Sequence, residues 1–127
     1  MAEKEVELLK ILSNAFNEAL KGADLEAEAL KMAEALGEDD LSVKLKMLEA
    51  QERFISAQML VKEQAEVEFN DLLNKVTGDF DLLRNQVNNL CASVFDELKT
   101  NRQAVIDSKK YARAKGIELI EKLQKEL

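Results

Sequence analysis

Apolar residues recur along this chain in steps of three, four and seven, the spacing that gathers them on one stripe of an α-helix. The longest such run lies between residues 79 and 126: Phe80, Leu83, Val87, Leu90, Val94, Leu98, Val105, Ala112, Leu119 and Leu123. No proline interrupts it. The pattern therefore predicts a single helix of nearly fifty residues, about 70 Å long at roughly 1.5 Å per residue.

Upstream, Val6, Leu9, Leu12, Phe16 and Leu20 mark a first helix over 3–21, with Glu3, Glu5 and Glu7 in its opening turns, where negative charge complements the helix dipole. Gly22 is expected to end it in the left-handed conformation. Asp24 then caps a second helix over 25–36, whose inner side is Leu25, Ala29, Met32, Ala33 and Leu36. Gly37 stops that helix, and Asp39 or Asp40 caps a third over 41–76.

The third helix carries two adjacent apolar rows: Leu41, Leu45, Leu48, Ile55 and Met59 beside Met47, Ala50, Phe54, Ala57 and Val61. Two rows predict two neighbours for its first half. Past Val61 the stripe rotates to Ala65, Phe69, Leu72, Leu73 and Val76, so a different partner is expected there. Thr77-Gly78-Asp79 reads as a turn short enough to force an antiparallel hairpin.

The expected fold is all-α: two short N-terminal helices plus a long antiparallel helical hairpin, an elongated bundle or coiled coil forming one domain over 1–127. Because the third helix is shorter than the fourth, the tail from Lys115 onward should overhang. Ile117, Leu119, Ile120, Leu123 and Leu127 keep that tail apolar, and an exposed stripe of this kind needs cover. The cover comes either from the chain's own N-terminal helices or from a second chain. Asn101 and Ser108 interrupt the stripe, either fixing register or facing solvent. Gly116 sits inside the helical pattern at a cost of about 1 kcal/mol relative to alanine, which a close helix crossing or a bend would explain.

Composition supports this class: of 127 residues, 46% are hydrophobic and 34% charged, with four glycines and no proline, tryptophan or histidine. The formal net charge of −7 argues against nucleic acid or an anionic membrane as the main partner. Cys91 is the one cysteine and sits in an apolar run, where it reads as a small core residue. The apolar runs are too short for a transmembrane segment. The start Met1-Ala2-Glu3-Lys4-Glu5 lacks the order of a secretory signal, so a cytoplasmic location, or export without a cleaved signal peptide, is expected.

The residue types for common catalysis are missing. Without histidine there is no Glu-x-x-His metal pair, no Ser-His or Cys-His nucleophile and no ordinary zinc site. The glycines are too dispersed for a phosphate loop. No cofactor, metal or catalytic residue is expected, and the protein reads as non-enzymatic. Lys109, Lys110, Arg113 and Lys115, with Tyr111 among them, form a basic island that is either a docking patch for an acidic partner or a solvated face. Lys109, Lys110 and Arg113, together with Ile117, Leu119, Ile120 and Leu123, are the candidate interaction residues.

One stretch resembles a known family. Leu45-Lys46-Met47-Leu48-Glu49-Ala50-Gln51, then Phe54-Ile55-Ser56-Ala57-Gln58-Met59, closing with Leu72-Leu73-Asn74-Lys75-Val76, is similar to the helical assembly segment of the inner-rod and flagellar-rod adaptor proteins of type III secretion systems. The resemblance implies a small exported helical subunit that polymerises or caps a polymer. The expected function is that of a helical interaction or assembly subunit, a secretion-apparatus component or a small chaperone or adaptor, acting on a protein partner that is a helix or a second copy. The alternative is an amphipathic coat on apolar surfaces such as lipid or polymer inclusions.

Overall fold

The computed structural model describes residues 2–75 and 78–127. Among them are helices and turns with no strand, as the hydrophobic spacing predicts. Helix α1 spans Ala2–Leu36. Gly37 turns the chain with φ +90, and Asp40 caps α2, its Oδ1 accepting from the Ser42 amide at 2.9 Å. Helix α2 spans Leu41–Met59 and runs directly into a π-helical stretch, Leu60–Glu66. Short α3 (Asn70–Lys75), α4 (Asp79–Leu90) and α5 (Lys99–Glu126) complete the chain.

Ion pairs between helices give their directions. Arg53 meets Glu18, and Lys46 meets Glu28, so α2 runs antiparallel to α1. Lys122 meets Asp79, making α4 and α5 antiparallel. Arg102 meets Glu38 just beyond the C-terminal end of α1, while Gly116 lies against Phe16 nearer its start, so α5 also opposes α1. The result is an up-down-up-down arrangement in which α1 touches α2, the π stretch, α4 and α5. Leu8, Leu12 and Phe16 of α1 share one core with Phe54, Val61, Leu83, Leu90, Leu119 and Leu123.

Three expected elements are corrected. The helix expected over 41–76 is divided into α2, the π stretch and α3, and α2 packs chiefly on α1 rather than forming a long hairpin with the fourth helix. The expected helices over 3–21 and 25–36 are one helix, because Gly22 is helical and buried. Its missing side chain makes room for Phe54: a Cβ there would stand 2.6 Å from the ring. Asp24 is accordingly no cap, and its carboxylate pairs with Arg113.

The predicted continuous helix over 79–126 is broken at residues 91–98, although no glycine or proline stands there. Tertiary contacts hold the break. The Val94 amide donates to Glu26 Oε2 at 3.2 Å, and Arg102 lies over the Phe95 ring while binding Glu38.

The break shortens α5 and lets it fold back along α4 and α1. The apolar tail is therefore covered in part within the chain, with Leu119 and Leu123 buried and Ile120 packed against the core, while Ile117 and Leu127 stay exposed. Asn101 and Ser108 face solvent. Beyond Val61 the buried row continues through the π turn as Val61, Ala65, Phe69 and Leu73, and the π stretch packs chiefly on α1, the neighbour α2 already has, rather than on the different partner expected there. Of the expected turn, Gly78 has φ +100, while Val76 and Thr77 lie outside the described residues.

Candidate interaction surface

The two apolar rows of α2 have opposite fates. Val43, Met47, Ala50, Phe54 and Ala57 face α1 and are buried. Leu41, Leu45, Leu48, Ile55 and Met59 remain between 49 and 70% exposed. Their steps, four, three, seven and four, are those of a coiled-coil seam with Glu52 standing in the missing position. The second neighbour predicted for this face is absent from the described chain.

The seam is an exposed ridge along α2. Shallow grooves border it, one of about 370 Å³ lined by Glu52, Ile55, Met59 and Glu63 and one of about 350 Å³ lined by Val43, Met47, Leu48 and Phe95. Knobs of a second helix need such holes beside the ridge they straddle. Its length is set at both ends. Asp40 starts the helix, and after Met59 the π turn and the polar residues Lys62 and Glu66 end the row.

Charge along the seam is mixed: Lys44 and Lys62, at its two ends, are exposed and form no ion pair among the described residues, and the acids lie between and beside them. Glu49, Glu52 and Glu63 form no ion pair among the described residues. In a parallel self-pair Glu52 would face its own copy while Lys44 would flank the copy's Glu49, and a centred antiparallel pair would bring Glu49 near its copy.

The basic island is divided between the interior and the surface. Lys109, expected on a docking patch, is buried and donates to Glu26 Oε1 at 2.5 Å, and its ammonium lies 4.8 Å from the Phe54 ring centroid. Arg113 binds Asp24. The acidic helix opposite these cations is thus the chain's own α1. Lys110 is exposed at the mouth of a cavity of about 230 Å³ walled by Ala27, Leu30, Leu90, Val94 and Ile106. Ile117 is 43% exposed, whereas Leu119 and Leu123 are core residues and Ile120 is half-buried, so the three do not build an open surface.

Cys91 is buried with its Sγ 3.7 Å from the Phe54 carbonyl oxygen. Burial pushes the thiol up to about 11, with Lys109 pulling it down and Glu26 raising it further. At neutral pH it stays a thiol and is a poor nucleophile.

The sequence displayed every residue of the outward row but not which row faces out. The signal that separates them is size and shape: the inner row holds alanines and Phe54 that fit against α1, and the outer row holds branched and unbranched aliphatics around a glutamate. No family model, no curated protein and no solved structure matches the chain. No helix among the described residues is long and apolar enough to cross a membrane.

Proposed function

We propose that this protein is a non-enzymatic adaptor or assembly subunit that docks an amphipathic helix of another protein along the outward row of α2. The observation carrying this reading is the exposed seam Leu41, Leu45, Leu48, Ile55 and Met59, built at coiled-coil spacing on a capped helix. Unpaired Glu49 and Glu52 favour lysine or arginine opposite the middle of the row, with Glu52 within the seam favouring one cation facing it, whereas unpaired Lys44 and Lys62 favour acids opposite its ends. Most of the row lies in the stretch similar to the assembly segment of rod adaptor proteins, which would make the docked helix part of a larger helical assembly.

The test uses two synthetic three-heptad peptides with leucine at the seam positions, one presenting arginine and the other glutamate opposite Glu52. The arginine peptide should bind in fluorescence anisotropy, and the Leu45→Glu/Ile55→Glu double variant should lose that binding without loss of helix content. Glu52→Lys should reverse the preference between the peptides, with a change of about tenfold or more for a close charge pair. Equal binding of both peptides regardless of Glu52→Lys would overturn the reading. Binding of a lipid emulsion but of neither peptide would favour the coat alternative.

A further inference from the structure

We propose that the chain can also pair with a second copy of itself by exchanging α5: residues 91–98 straighten, α4 and α5 join into one helix, and each α5 packs on the other copy's α1 and α4. This goes beyond the docking of a foreign helix and uses a different surface.

The local sequence favours the straight form. Cys91-Ala92-Ser93-Val94-Phe95-Asp96-Glu97-Leu98 contains no glycine or proline, and Leu83, Val87, Leu90, Val94 and Leu98 keep helical spacing straight through the break. The bent form leaves marks of what it gives up. Leu98 is 74% exposed, and the Ser93 hydroxyl is buried with no hydrogen-bond partner. In a continuous helix that hydroxyl can reach the carbonyl of Asn89, four residues back, and the loop amides regain the regular ladder.

What holds the bend is remote in sequence. Glu26 accepts the Val94 amide with one carboxylate oxygen and the Lys109 ammonium with the other, so one side chain of α1 secures both the break and α5. After exchange, the Glu26 of one copy receives Lys109 of the other. All contacts of α5 with α1 and α4 are likewise recreated between chains, which leaves the hinge as the local difference between the two forms. This is the condition under which exchange of an identical element gives a dimer at low cost.

Leu98 supplies a test. Its φ is −60, suited to proline, and its amide donates no hydrogen bond outside a helix among the described residues. Leu98→Pro therefore fits the bent form and blocks the continuous helix, while Leu98→Ala removes the same side chain without blocking it. The full chain is held at high concentration in mild denaturant, returned to buffer and analysed by sedimentation. The wild type and Leu98→Ala should give a dimer and Leu98→Pro only a monomer.

A second measurement does not depend on any variant at the hinge. Spin labels at exposed Asn85 and Glu118, in protein mixed with excess unlabelled chain, report one chain's own geometry. In the dimer fraction they should move from neighbours across the α4–α5 pair to about 50 Å apart, the span of a continuous helix at 1.5 Å per residue. No dimer at any concentration, or a dimer that keeps the short distance, overturns the proposal. Loss of the dimer in Leu45→Glu/Ile55→Glu would assign it to the α2 row instead and overturn it equally.

Discussion

Gly116 shows how much one missing methyl can decide. A Cβ there would stand 2.1 Å from the ring of Phe16, a side chain only 1% exposed and hemmed in by the core. Gly116→Ala gains helix propensity of about 1 kcal/mol yet forces a buried aromatic to move, an overpacking cost of typically 1–3 kcal/mol. We expect a net loss of stability in urea unfolding, against the direction that propensity alone gives. Phe16→Leu in the same background should recover part of it. The sequence marked Gly116 as a residue needing a reason, and a close crossing is that reason. Gly22 carries the same meaning and was legible only as a stop, because nothing near it announces that Phe54, thirty-two residues later, needs the space.

At the scale of elements, α5 is fastened to α1 through a charge pair in an apolar setting. Glu26 is 1% and Lys109 7% exposed. Removing one partner strands the other, so Lys109→Met should cost about 3–5 kcal/mol. Adding Glu26→Gln, which removes the stranded charge and keeps an acceptor for the Val94 amide, should recover most of that loss. Chemical denaturation of the two single variants and the double variant measures the coupling; strict additivity would show that the pair is not what fastens α5. The helical stripes, the Asp40 cap and the turn at Gly37 were readable from local sequence because their causes are local. The break at residues 91–98 was not, since its causes are Glu26 and Glu38, contributed from elsewhere in the chain. The outward row was half legible: periodicity located it, but only packing shows which of two apolar rows α1 takes.

For the molecule as a whole, two ion pairs clip the ends of α5 and respond to opposite extremes of pH. The hydrogen bond from Arg102, with help from the nearby positive charges of Arg102 and Lys99, holds the Glu38 carboxyl below its ordinary 4.5 against a smaller opposing effect of burial. A depressed acid contributes stability above its unfolded pKa and loses it as pH falls through the folded value. The hydrogen bond to Asp79 raises Lys122 above 10.5, and that contribution is present below 10.5 and lost as pH rises through the folded value. Glu38→Gln should therefore flatten the fall of stability below about pH 4.5, and Lys122→Met the fall above about pH 10.5, each leaving the other limb unchanged in thermal unfolding followed across pH.

The π turn after Met59 limits something besides geometry. By helping to end the outward row at nineteen residues of α2, it caps the contact at roughly 28 Å of one helix face, within the range of small, transient interfaces. Among related complexes, affinity is set mainly by how fast partners leave. Under the docking proposed above, a helix seated on so short a row would gain little from length, so its residence would rest on the few seam side chains and on Glu52.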